Sequence, residues 1–366
     1  MDSLFHIFVF IVGLVIVLAT ISSAISTFVL PRSARSQLNR LVFGLLRRFI
    51  EFIFRFVKSY ERRDAIMAYY APVALISLVP TWYVLISLGY SFMYWSLRAG
   101  DYFFDFRLSG SSLLTLGYTA PEGYMVTALS FSEAMLGLIM VGLLIAYLPT
   151  MYSAFARREQ AVNLLEVRAG NPPNPYDMLS RFNRIHGLDK LGEYWKTWEI
   201  WFADVEESHT TLPALVFFRS PRSENSWITS AGAILDTASL TLSSIDIPYE
   251  PSAALCIRAG ILALRKIADY FDITYPVSPT YPTTPIAVTR AEYDEVIRKL
   301  EEVGIPIVAD REKAWTDFAG WRVNYDRVLL VLCTLVMAPQ TPWSSDRASK
   351  FKNPPLFFKK KRKHLH

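Results

Sequence analysis

Three apolar runs, residues 5–30, 65–97 and 124–155, are each long enough to cross a bilayer core. In lipid every backbone polar group must be satisfied within the protein, so runs of this kind fold as helices. The chain divides accordingly. At 52% hydrophobic residues it is too apolar for an ordinary soluble protein, yet 19% charged residues is too many for one wholly embedded. The charges fall mainly outside the three runs, which predicts a membrane part over residues 1–155 and a globular part beyond it. The first run carries only His6 as an ionisable interruption and lacks a basic leading segment, so it reads as a retained helix rather than a cleaved signal.

Residues 31–64 carry nine basic side chains against Glu51, Glu61 and Asp64. The positive-inside rule makes this segment cytosolic, with the N-terminus outside. Within it, residues 37–60 have helical periodicity. Arg40, Arg47, Arg48, Glu51, Arg55 and Lys58 occupy one sector of roughly 100° and apolar residues fill the rest. Such a helix lies in the membrane interface, where the basic stripe would meet anionic lipids, or it packs on the globular part. The loop between the second and third runs has Arg98 and Arg107 against Asp101, Asp105 and Glu122, a balance suited to the outer face, and Tyr90, Tyr94 and Trp95 read as an aromatic belt there. The topology expected is three spans, N-terminus out, C-terminal domain in the cytosol.

Between those two runs lies Ser109-Gly-Ser-Ser-Leu-Leu-Thr-Leu-Gly-Tyr-Thr-Ala-Pro-Glu-Gly123, preceded by an apolar segment, residues 103–114, too short to span. Its core, Thr115-Leu116-Gly117-Tyr118, resembles the selectivity filter of the pore-loop cation channels, whose loop reads TVGYG in potassium channels. The resemblance covers about residues 65–157. It implies a re-entrant half-helix and loop between an outer and an inner helix, a homotetramer around one pore, and monovalent cations as the permeant species. The filter positions it implies are Thr115, Leu116, Gly117, Tyr118 and Thr119. The chain departs from the family pattern at Thr119, where a second glycine is usual, and at Ala120, where an acid is usual. Leu114 stands for the first of two threonines, and Arg107 and Leu108 for the aromatics that back the filter. Threonine takes positive φ only with strain, so the outermost ring is the part expected to differ. Potassium selectivity and a non-selective pore both stay open.

Ser111, Ser112, Glu122 and Glu133 are the candidates for filter support or the pore vestibule. Glu133 is an acid inside a span and so a functional candidate. It would sit near the outer headgroups, bond Ser111 or Ser112 behind the filter, or form a four-fold ring in the cavity. Gly137 and Gly142 read as an inner-helix hinge or as packing glycines, and Leu148 and Pro149, with Tyr147 and Met151, as a cytosolic constriction.

Residues 156–358 read as an all-α cytosolic domain: helices over 176–187, 191–207, 227–243, 251–271 and 289–303, the last opened by a Thr289/Glu292 capping box, and a closing segment 310–337. Tyr194, Trp195, Trp198, Trp201 and Phe202 form a core stripe. Cys256 and Cys333 are structural thiols. Residues 359–366 are a basic tail. No dinucleotide fingerprint, metal-ligand spacing or nucleophile motif is present, so no cofactor, enzymatic activity or nucleic-acid partner is expected. The expectation is therefore an all-α membrane protein of the plasma membrane, three transmembrane helices with a re-entrant pore loop, conducting monovalent cations. The alternative is a non-conducting scaffold or sensor that keeps a channel-like fold.

Overall fold

The computed structural model describes residues 2–28 and 37–350. The basic tail, and Arg32 and Arg35 of the cytosolic-face segment, lie outside the described residues. The protein is 75% helix, and among the described residues it has no strand. Three helical stretches are long and apolar enough to cross a membrane, within Ser3–Phe28, Tyr60–Ser96 and Tyr124–Ala169. The chain forms two compact units. One comprises the chain to Phe56 together with Tyr69–Ser153, the other Val57–Ala68 together with Ala154 onward.

In the first unit, α1 (Asp2–Phe28) packs on α4 (Tyr70–Ser96). The crossing depends on two glycines. A Cβ on Gly13 would lie 2.4 Å from the Gly89 carbonyl oxygen, and one on Gly89 would lie 2.8 Å from that of Gly13. Small residues let membrane helices approach this closely. Trp82 Nε1 donates to Ser23 Oγ at 3.2 Å across the same contact. The amphipathic helix α2 (Gln37–Ile53) is tied to α1 by Asn39 Nδ2, which donates to Thr27 Oγ1 at 2.6 Å.

Helix α2 ends at Ile53, seven residues short of the expected Tyr60, and a turn over residues 54–56 separates it from α3 (Tyr60–Ala68). Ser59, a residue type that favours helix starts, precedes the new helix. The basic stripe divides with it. Arg47 is buried at 4% exposure, bound to Glu51 at 2.8 Å and seated over the Tyr70 ring, so it leaves the lipid-facing set. Lys58 lies beyond the helix. Leu41, Leu45, Phe49, Phe52 and Phe56 are exposed along the other side. Tyr90 and Tyr94 are buried rather than forming a belt, because each has a polar partner inside the unit.

Helix α5 (Tyr102–Leu113) begins at Asp101, whose carboxylate accepts from Phe104 N at 2.8 Å. A loop over residues 114–123 leads to α6 (Tyr124–Ala169), which has Pro149 in its interior.

The second unit is built around α9 (Trp227–Ser243), buried along nearly its whole length, with the hydroxyls of Thr237, Ser239, Thr241 and Ser243 satisfied by carbonyls one turn back. Around it lie α7 (Pro175–Arg184), α8 (Leu191–Thr211), α10 (Pro251–Tyr270), α11 (Arg290–Glu302), α12 (Arg311–Arg322) and α13 (Asp326–Val336). The closing segment is two helices, broken over residues 323–325. Trp195, Trp198, Trp201 and Phe202 are buried as a core stripe, and the Thr289/Glu292 capping box is formed. Inside this core Arg322 pairs with Asp236 and Asp326, while Tyr325 Oη donates to Asp236 at 2.8 Å. Each buried charge thus meets an opposite one or a donor. Cys256 and Cys333 are buried free thiols, and burial pushes both well above the usual thiol range.

Candidate functional site

The loop after α5 hangs on one residue. Ser111 O accepts from Leu116 N at 2.8 Å and Gly117 N at 3.3 Å, and Ser111 Oγ accepts from Thr119 N at 3.1 Å. Thr115 N donates to Ser112 O at 3.0 Å. These four donors are therefore turned back onto the end of α5. The loop's acceptors are not: among the described residues no donor reaches the carbonyls of Thr115, Leu116, Gly117 or Tyr118. A backbone oxygen left open in this way suits a cation or water as its partner. The side chains of Leu116 and Tyr118 are 61% and 56% exposed in the single chain.

Positive φ occurs at Gly117 (+69°) and at Thr115 (+54°), and not at Thr119. The strain expected at Thr119 is thus carried four residues earlier, where a β-branched residue turns the chain out of α5. Arg107 stands where a backing aromatic was looked for. Its guanidinium lies 5.6 Å from the Tyr118 ring centroid and 5.9 Å from that of Phe103, a cation–π contact that holds the Tyr118 ring against α5.

Behind the loop, α4, α5 and α6 meet around Glu133, which has 0% exposure. Ser109 Oγ donates to its Oε1 at 2.5 Å and Tyr94 Oη to its Oε2 at 2.8 Å, and Ser109 Oγ also lies 2.9 Å from Ser87 Oγ. Glu133 thus braces α5 from α6, but through Ser109 rather than Ser111 or Ser112. Within the single chain it is enclosed by three helices. Ser112 Oγ pairs instead with Ser130 Oγ at 2.7 Å. Glu122 is exposed past the loop. A second acid, Asp105, is also at 0% exposure, with neither carboxylate oxygen bonded.

Gly137 is a packing glycine. A Cβ there would lie 2.0 Å from the Leu113 carbonyl oxygen, and Tyr83 Oη donates to Gly137 O at 2.9 Å. Gly142 has open space around it and no such role. Phe131, Met135, Leu138, Ile145 and Leu148 are exposed with it along α6, as is Pro149. Tyr147 and Met151 do not join Leu148 and Pro149. The helical repeat turns them to the Glu133 face, where Tyr147 packs on Phe28 of α1.

Sequence reasoning missed Ser109, Ser87 and Tyr94 as partners of Glu133. The available signal was the acid itself, since a carboxylate buried in a span requires nearby donors. No family model, curated protein or solved structure matches the chain.

Proposed function

We propose that the chain is one subunit of a homotetrameric channel for monovalent cations, with its ion path formed by residues 103–155. The observation that carries this reading is the divided loop: the N–H groups of Leu116, Gly117 and Thr119 are held by Ser111, while four successive carbonyls from Thr115 to Tyr118 have no donor among the described residues. Four such loops around an axis would stack rings of oxygens able to replace an ion's hydration shell. One chain supplies a quarter of that ring, which calls for closed symmetry. The half-helix α5, with its negative C-terminal end at the loop, adds an electrostatic preference for cations. In this reading α5 and the loop are re-entrant, and the exposed apolar stripe of α6 with Gly142 lines the inner path. Leu148 and Pro149 then stand at its cytosolic end.

The three spans are compatible with a membrane-embedded protein. The proposed placement is the plasma membrane, N-terminus outside and the helical unit cytosolic. Arg40, Arg48 and Arg55 on α2 and in the turn after it would face anionic headgroups, with the exposed leucines and phenylalanines below them.

The test is flux through liposomes carrying the purified protein, under a potassium gradient and then a sodium one. Potassium flux that sodium cannot replace gives a selective filter, and flux of both gives a non-selective pore. Gly117→Asp should abolish flux and leave the assembly intact, because Gly117 sits at positive φ and a side chain there would project from the loop. The non-conducting scaffold is favoured by one feature, Thr119 and Ala120 in place of the family's glycine and acid. Absence of flux from an intact assembly, sought across voltage, pH and calcium, would select it.

A further inference from the structure

The short segment 57–68 is separated from its chain neighbours in an informative way. It follows α2 and runs into α4 with only Tyr69 between the helices, yet it packs as part of the helical unit. What holds it there is Arg219. That side chain is 9% exposed and forms an ion pair with Asp64, itself 10% exposed. Its Nη2 also donates to Tyr60 Oη at 3.1 Å and to Met337 O at 3.1 Å, and Nη1 donates to Val336 O at 2.6 Å. Tyr60 Oη donates to Met337 O at 3.4 Å. Met337 is the left-handed cap that ends α13, so its carbonyl and that of Val336 belong to a helix C-terminus, where a cation is favoured. One guanidinium therefore closes the end of α13 and grips α3.

The same stretch of chain holds the other passage between the units. Arg158, in the part of α6 that belongs to the helical unit, is fully buried. Its Nη1 donates to Leu215 O at 2.8 Å and its Nη2 to Phe218 O at 2.8 Å, and Phe155 and Phe218 rings lie 5.8 Å apart. Glu159 and His209 complete its surroundings, at 2.7 Å and 3.2 Å. Residues 215–219 thus bind the chain where α6 leaves the first unit, through backbone carbonyls, and where the chain returns to it, through Arg219. Nothing about packing a globular core requires both passages to be fastened to one five-residue segment.

We propose that residues 215–219 are a coupling plate: they clamp α3 and the distal part of α6 together, so that a rearrangement of the helical unit acts on the starts and ends of two spans at once. Its consequence for ion flow rests on the channel reading, and the clamp itself does not. The test uses the full chain in lipid nanodiscs with Arg219→Ala, and with Asp64→Asn as a milder variant that leaves the bonds to Val336 and Met337. Hydrogen exchange is followed at residues 57–68 and, as a control, in α9. A second readout is the labelling rate of Val73→Cys in α4, with the two native cysteines buried and silent.

The clamp predicts exchange at 57–68 faster by roughly tenfold with α9 unchanged, and a labelling rate at position 73 altered at least about threefold. Should Arg219→Ala loosen α9 as well, Asp64→Asn decides. Unchanged exchange at 57–68 overturns the clamp, and faster exchange with unchanged labelling overturns the coupling. Flux measured on the same variants is a separate arm. If even the wild-type protein conducts nothing, the channel reading fails while exchange and labelling still decide the plate.

Discussion

At the scale of residues, the two buried acids of the first unit make opposite demands. Glu133 receives two donors, from Ser109 and Tyr94, and each needs an oxygen that accepts. Glu133→Gln replaces one acceptor by an NH₂ group that faces a donor, and should destabilise the unit by about 1–3 kcal/mol. Tyr94→Phe should cost less after Glu133→Gln than alone, and a double-mutant cycle on thermal unfolding in detergent checks the coupling. Asp105 has no bonded oxygen, so Asp105→Asn removes an uncompensated buried charge and should be neutral or stabilising in the same assay. That Glu133 mattered was legible in the sequence, because a charge inside a span is rare. That Tyr94 serves it was not. A tyrosine near the end of an apolar run reads equally as a belt residue or a buried donor, and only the packing of α4 on α6 separates the two.

At the scale of elements, helix existence and type were legible and the facing of helices was not. The bounds of α5 and the capping box of α11 follow from local signals: a span-length shortfall and a Thr/Glu pair. The end of α2 was hidden because apolar residues continue at helical spacing through Phe56, and the break arises from the docking of α3 elsewhere. Lipid and protein are equally apolar to a helix in a membrane, so periodicity cannot assign the two faces of α6. Its glycines now separate them. Gly137→Ala would press a methyl group into the Leu113 carbonyl and should cost about 1–3 kcal/mol as α5 and α6 are forced apart. Gly142→Ala meets nothing and should stabilise by about 0.5–1 kcal/mol, stiffening α6 at its one glycine with open space around it. On the proposed channel reading, a shift in open time of single-channel currents for Gly142→Ala would place the bend there, and unchanged gating would remove it from the hinge assignment.

At the scale of the whole molecule, two groups of the helical unit set its response to acid. His209 is buried against the Trp227 ring and the Arg158 guanidinium, and burial, then that positive charge, hold it neutral well below 6.5. Its stabilising contribution is full above 6.5 and falls as pH drops, because the unfolded chain takes up the proton that the folded site refuses. Glu292 acts lower. Burial alone would raise it, but Arg347 and the Thr289 backbone and hydroxyl outweigh this and bring it to about 2, from 4.5. Its contribution is therefore present above 4.5 and lost between 4.5 and about 2. Denaturation midpoints of the full chain, followed by tryptophan fluorescence, should fall in two stages. His209→Phe should flatten the upper stage and Arg347→Gln the lower, and a single stage unaffected by either substitution would refute the assignment.

The loop that follows α5 turns the N–H groups of Thr115, Leu116, Gly117 and Thr119 back onto Ser111 and Ser112 and leaves the carbonyls of residues 115–118 without a donor among the described residues. In genetic terms, the tetramer proposed above could not keep its defects private. In the proposed tetramer, a subunit with Gly117→Asp should still fold and assemble, and it would bring one broken quarter to every ring it enters. Expressed equally with the wild type, it should leave on the order of one assembly in sixteen free of the lesion, so the variant would behave as a dominant poison rather than a recessive loss.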